Sequence, residues 1–408
     1  MKPELLAPAG GWEQLEYAIR FGADAVYLAT ESFGMRSKAI NFNIEEMPQV
    51  VDYAHKRGAK VHVACNIVMR DGDLEQLPAY FEALEAAGAD ATIIGDLGAL
   101  RIARKHAPSL DIHVSTQASV ANSESALAWY EMGAKRIVLA RELSLDAIAN
   151  IRARVPREIE LEAFCHGSMC MAYSGRCIIS DYLADRSAQR GACAQSCRWN
   201  YALVEEKRPG EYITIEEDSN GTYILNSKDM NMLAHLADME EAGIDSIKIE
   251  GRNKKAFYVA IVTNAYRQVL DGANPADFAH ELETVSHRPY STGFFYGPAT
   301  QSFDSVDYVR SYQWMADVLE CESMGNGIWL ATIRCRNKFD ATDKLEVVSP
   351  MVPSASFRAW DFMHVPIDAE EASAPYSVAE ISRTMETYTM LVDRELKPFD
   401  IIRAPSRG

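Results

Sequence analysis

Five of the chain's eight cysteines fall within 33 residues: Cys165, Cys170, Cys177, Cys193 and Cys197. Thiols placed this densely either bridge as disulfides or hold metal as thiolates, and the redox compartment decides between the two. The sequence opens MKPELLAPAG, with no apolar signal core, and no apolar run reaches membrane-spanning length. We therefore expect a cytoplasmic chain with reduced thiols and no membrane partner. Four thiolates suit tetrahedral zinc or an iron–sulfur cluster. Cys193-x3-Cys197 would serve as one zinc pair, but Cys170-x6-Cys177 is wide for the other. Irregular spacing suits a 4Fe–4S cubane, whose corners are spread apart, better than zinc, and disulfides fit least well. Cys165 ends an expected strand and reads as a small buried hydrophobe, as do Cys65, Cys321 and Cys335.

The remaining candidates depend on the elements that position them. A phrase recurs through the first 250 residues: a helical stretch, a Gly-Ala or Gly-Ile pair, then a short apolar strand. It reads FGADAVYLA, RGAKVHVAC, AGADATIIG, MGAKRIVLA and AGIDSIKIE. Each is a helix closed by glycine, followed by a strand buried on both faces. Adding ELLAPAG, DIHVSTQ and IELEAFCHG predicts eight strands, near 4–7, 25–29, 60–65, 92–95, 111–115, 136–140, 159–164 and 246–250. Amphipathic helices fit between most of them, over 11–21 and 73–87 for example. The count of eight favours an α/β fold of the (β/α)8 TIM-like barrel type, with right-handed crossovers. A doubly wound open sheet shows the same alternation, but no GxGxxG follows the first strand.

We expect the barrel to span 1–275, with a cysteine-rich insertion at 165–225. Strand-like segments at 327–336, 344–350, 376–383, 387–394 and 400–405 then predict a small C-terminal β-barrel over 285–408.

Function in such barrels gathers at the C-terminal ends of the strands. Those positions hold Pro8 and Gly10; Glu31; Asn66; Asp96; Ser115, Thr116 and Gln117; Arg141 and Glu142; His166; and Glu250, Gly251 and Arg252. Asp96 and Ser115 also suit helix N-caps, and the Arg141-Glu142 and Glu250/Arg252 pairs also suit structural ion pairs. The arginines otherwise suit a substrate carboxylate or phosphate, which the guanidinium fork binds bidentately. We assign proton transfer to His166 and Glu250, with Arg252 beside them, on position alone. Glu31, Asn66, Gln117 and Arg141 are the expected substrate contacts. The net charge of −17 argues against a broad nucleic-acid surface. Yet Arg176, Arg186, Arg190, Arg198 and Trp199, with Lys228 and the GRNKK run at 251–255, form a basic patch with an aromatic. Such a patch suits a single-stranded RNA loop, and it equally suits a solvated surface.

Several of these segments together resemble the collagenase-like U-type peptidase family: ELLAPAG, FGMRSKAINF (33–42), HGSMCMAYSGRC (166–177), RGACAQSCRW (190–199), LNSKDM (225–230) and SIKIEGR (246–252). The family name implies proteolysis, but the residues do not: there is no GxSxG elbow and no HExxH. The resemblance is strongest to the family's oxygen-independent hydroxylases, and among them to its tRNA-modifying branch. It implies a 4Fe–4S cluster, 5-hydroxyuridine formation at the tRNA wobble position, and prephenate as hydroxyl donor. It also implies the ligands Cys170, Cys177, Cys193 and Cys197, with Arg176, Arg198 and Lys228 near the RNA. Ribosomal-RNA cytidine hydroxylation, peptidase activity and a zinc-stabilised RNA-binding factor are the rival readings. Some relatives take a fourth cysteine from just after the NSKD motif. LNSKDMNML has none, so Cys197 fills that place and Cys165 is the fallback. Relatives that work in pairs suggest a second family member, or a second copy, as partner.

Overall fold

The computed structural model describes residues 2–35, 40–170, 177–198, 216–218, 221–223, 228–297, 299, 308–366 and 374–407. Contacts divide it into two units. The first, 1–19, 23–259 and 287–308, is a closed barrel of eight parallel strands. In chain order these are β1 (Glu4–Pro8), β2 (Ala25–Leu28), β3 (Lys60–Cys65), β4 (Ala91–Ile94), β5 (Asp111–Val114), β6 (Arg136–Val138), β7 (Glu160–Ser168) and β8 (Ser246–Ile249). Each pairs with the next, and β8 closes the ring by pairing parallel with both β7 and β1. The expected barrel is the observed one. The repeated phrase works as anticipated: Gly22, Gly58, Gly88, Gly133 and Gly243 all have φ between +78° and +103°, and their left-handed backbone turns each helix back into a strand.

β7 runs past the expected end at 164. Its extension carries Cys165, His166 and Gly167 and pairs antiparallel with the short strand Asp229–Asn231, placing His166 opposite Asn231. Between β7 and β8 the sequence runs through residues 169–245, which carry Cys170, Cys177, Cys193 and Cys197.

The barrel interior is unusually polar. Arg136, 3% exposed, reaches Glu4 Oε1 at 2.5 Å, Glu160 Oε2 at 2.6 Å and Glu162 Oε2 at 3.2 Å. The other oxygen of Glu162 accepts from Lys248 Nζ at 2.9 Å. The rings of His62 and His113 meet edge to face at 4.6 Å. All these side chains come from alternate strand positions, which is how a strand sends one set of residues inward.

Burial holds His62 neutral, with its pKa pushed down to about 4, and pushes that of His113 well below the usual histidine value. A base whose folded pKa is depressed contributes stability that is complete above the unfolded value of 6.5 and is lost as pH falls towards the folded value. The unfolding midpoint should therefore drop between pH 6.5 and 4, by up to about 1.4 kcal/mol per pH unit for each such histidine. Urea titrations across that window check this, and a flat midpoint would contradict it.

The second unit, 20–22, 260–286 and 309–408, contains an eight-stranded antiparallel sheet. Its core includes Met315, Val318, Ile333, Phe339, Phe362, Tyr388, Met390 and Ile402. Arg403, fully buried, is bound by Glu281 and Glu346. Three of its strands, Tyr312–Gly325, Ala355–Phe357 and Ala359–Val365, lie outside the expected set. Cys335 is buried as anticipated, whereas Cys321 is only partly so and packs against the edge of this core.

Candidate active site at the barrel mouth

Residues at and just beyond the C-terminal ends of the strands enclose a cavity of about 90 Å³, with room for several water-sized groups. Its wall runs from Tyr27 on β2 and Asn66 after β3, through Ser115, Thr116 and Gln117 after β5, to Arg141 after β6. Phe164 on β7 and Lys248 on β8 follow, and Glu250, Arg252, Met35 and Cys170 complete the mouth.

Hydrogen bonds fix the polar side of this wall. Ser115 caps the turn that follows it, its hydroxyl accepting from the Gln117 backbone at 3.4 Å and from Asn66 Nδ2 at 3.3 Å. Asn66 Oδ1 in turn accepts the Met35 backbone N–H at 3.2 Å. Across the cavity, Arg141 donates to the Ser168 carbonyl at 3.0 Å and to Cys170 Sγ at 3.5 Å, with its guanidinium 4.9 Å from the Phe164 ring centre. The Tyr27 hydroxyl lies 3.0 Å from the Ile249 carbonyl and 3.3 Å from Glu250 Oε2.

The backbone around Glu250 is tightly fitted. Gly167 has φ +104°, and a β-carbon there would fall 2.4 Å from the Glu250 carbonyl oxygen. A β-carbon on Gly10 would fall 2.1 Å from the carbonyl oxygen of Arg252. Only glycine lets β1 and β7 approach the β8 loop this closely.

Six of the anticipated residues thus converge on one cavity: Asn66, Gln117, Arg141, Cys170, Glu250 and Arg252. Three others do not line it. His166 is buried within the β7 extension, its ring 6.0 Å from that of Tyr258 and 5.4 Å from that of Tyr290. Burial lowers its pKa to about 3. Its place inside a lengthened strand, rather than beyond a strand end, removes it from the mouth. Glu31 is exposed, and Lys228 is half-buried away from the wall. Arg176 and the side chain of Arg198 lie outside the described residues. Asp96 is a helix cap, accepting from the Ala99 backbone at 3.0 Å. Arg190, expected in the basic patch, is engaged: it makes a two-pronged bond to Asp73 at 2.7 and 2.9 Å and a third to the Val68 carbonyl. It ties the insertion to the loop after β3.

Two cavity residues, Tyr27 and Lys248, were not singled out by the sequence reading. Both occupy inward strand positions; the alternation of Ser246, Lys248 and Glu250 marks Lys248, whereas Tyr27 sits between Ala25 and Ala29 with no polar repeat.

The chemistry of the four candidate ligands suits a thiolate-held cluster. Cys170 is exposed, while Cys177, Cys193 and Cys197 are half-buried. The sulfurs of Cys170 and Cys193 accept N–H groups from Arg141 and Gln195. Among the described residues, no three His, Cys, Asp or Glu side chains are gathered into one metal-binding group. Cys165 is fully buried, its sulfur 3.4 Å from the Lys248 carbonyl, and behaves as core. Among the described residues no helix is long and apolar enough to cross a membrane.

Residues 10–304 match peptidase family U32, and residues 310–403 match the peptidase family U32 C-terminal domain. The chain is 37% identical over 362 residues to "tRNA hydroxylation protein P1" of Bacillus subtilis, covering 86% of this chain and 84% of that protein. It is 35% identical to "tRNA hydroxylation protein P" of Escherichia coli, with 86% of each chain covered. A 23S rRNA 5-hydroxycytidine synthase of Escherichia coli is 39% identical over 268 residues, which are 66% of this chain and 39% of that protein. On the extent of these matches, the chain belongs to peptidase family U32.

Proposed function

We propose that this chain is an oxygen-independent RNA hydroxylase that forms 5-hydroxyuridine at the tRNA wobble position, with prephenate as hydroxyl donor and a 4Fe–4S cluster held by Cys170, Cys177, Cys193 and Cys197. The observation that carries the reading is the joining of two features. Relatives named for RNA hydroxylation match most of the chain, and the barrel mouth presents a small cavity walled by Arg141, Lys248 and Arg252. Cationic groups around a confined volume hold a small organic anion by charge-assisted hydrogen bonds.

Glu250, braced by the Tyr27 hydroxyl, is the carboxylate placed to hold or move a proton at the mouth. Arg141 joins the cavity to the cysteine segment through Cys170. When bound, a cluster there would supply one-electron chemistry or order its loop. The family label of peptidase finds little support in the cavity. Among its described lining residues there is no histidine, and Ser115 is engaged with Asn66 and Gln117. No Ser-His or Cys-His pair, the commonest arrangement for acyl transfer, is therefore formed among its described lining residues.

Anaerobically purified protein, incubated with prephenate and with tRNA from a strain lacking this chain, should generate 5-hydroxyuridine detectable by nucleoside mass spectrometry. Hydroxycytidine formed only in ribosomal RNA would move the substrate to that RNA. Peptide hydrolysis with no nucleoside change would overturn the reading.

A further inference from the structure

The geometry assigns Lys248 to binding substrate: it is the cation at the floor of the barrel-mouth cavity that receives a carboxylate of a small organic acid, and the buried ion network beneath it holds it in position. This deepens the reading above and rests on it for the class of ligand.

Lys248 lines the cavity, yet its side chain is only 5% exposed. Its stem rises between two aromatic rings, with Nζ 4.3 Å from the centre of Tyr27 and 5.5 Å from that of Phe164. From below, Glu162 Oε1 accepts one of its three N–H groups at 2.9 Å. Aromatic faces stabilise an ammonium without accepting a directed hydrogen bond, so donor capacity is left for a ligand in the cavity.

Glu162 is fully buried and shares its second oxygen with Arg136, which also binds Glu4 and Glu160. The network therefore joins Lys248 and Arg136 to three carboxylates, Glu4, Glu160 and Glu162, with Lys60 3.8 Å from Glu4 at its outer end. His62 and His113 beside it are neutral through burial. The network anchors Lys248 from beneath through Glu162, which takes one of its three donors. A structural lysine would need only Glu162. A lysine placed at the cavity end of such a chain, caged by rings, is built to present a fixed positive charge to a ligand. Arg141 and Arg252 stand on the same wall and suit a second carboxylate.

The test is direct binding of prephenate, and of malonate as a plain dicarboxylate, measured by calorimetry on the full-length protein. Lys248→Met should weaken both by roughly ten- to hundredfold, the effect of losing a charged hydrogen bond. That variant leaves Glu162 with one fewer cation, so Lys248→Met combined with Glu162→Gln provides a second form in which both members of the pair are neutral. It should lose binding equally while keeping the wild-type circular dichroism. Wild-type affinity in the double variant, or no carboxylate binding by the wild-type protein, would overturn the assignment. Failure of the hydroxylase reading has a different signature: carboxylate binding that depends on Lys248, with no change in any RNA nucleoside.

Discussion

Replacing Arg136 with Met is expected to destabilise the protein by about 3–5 kcal/mol, the range for breaking a buried ion pair by removing one partner. Arg136 is the hub of the barrel interior and is bound by Glu4, Glu160 and Glu162. These contacts hold Glu4 at a pKa of about 2, its carboxylate bonded to Arg136 against the cost of burial. Glu162 is also held below the usual carboxylate range, by Lys248 and Arg136 against complete burial. Removing the guanidinium leaves Glu162 with Lys248 alone and Glu4 with the more distant Lys60, at 3.8 Å. Guanidinium denaturation at neutral pH measures the loss. Adding Glu162→Gln should restore part of it, because the uncompensated carboxylate is then gone, and the double-mutant cycle reports that coupling. A loss under about 1 kcal/mol, within the range of surface pairs, would mean the network does not hold the barrel interior together.

The second large effect concerns the cysteine segment. Cys193→Ala should abolish the bound iron and sulfide of anaerobically purified protein, about four of each per chain in the unmodified form for a 4Fe–4S cluster. Its broad visible absorbance should vanish with them. Metal and acid-labile sulfide determination on both proteins checks this. Cys165→Ala, at a fully buried core position, should keep the cluster and lose only a little stability, since alanine removes a single buried sulfur. Retained iron in Cys193→Ala, or loss in Cys165→Ala, would reassign the ligands. One zinc and no sulfide in the unmodified protein would make the segment a structural zinc site instead.

Much of this site was legible in the sequence because the barrel announces itself through backbone chemistry. The glycines at 22, 58, 88, 133 and 243 sit where a helix must reverse, and once they fix the strands, the strand ends follow. Asn66, Gln117, Arg141, Glu250 and Arg252 were found in that way. His166 was misplaced because the extension of β7 depends on pairing with Asp229–Asn231, a tertiary contact that no local pattern encodes. The interior network was passed over because strands such as RIV and SIKI read as apolar runs. The alternation of Glu160 with Glu162, and of Ser246 with Lys248 and Glu250, carried the inward stripe.

In the second unit, Tyr312–Gly325 escaped notice because Ala, Leu, Met and Glu favour helices, and propensity yields to packing in a sheet. The turn after it was readable. Asn326 and Gly327 both take positive φ, at +55° and +76°, as an Asn-Gly hairpin requires. The cysteine segment is the least legible part, since no helical or strand period runs through it.

RNA hydroxylation by this chain is tested most directly by nucleoside mass spectrometry of bulk tRNA and ribosomal RNA. The RNA would come from a strain deleted for this chain and complemented with either the unmodified or the Cys193→Ala protein. We predict that 5-hydroxyuridine and its derivatives disappear from tRNA on deletion, return with the unmodified protein, and stay absent with Cys193→Ala. Unchanged tRNA and ribosomal RNA nucleosides in the deletion strain would contradict the claim.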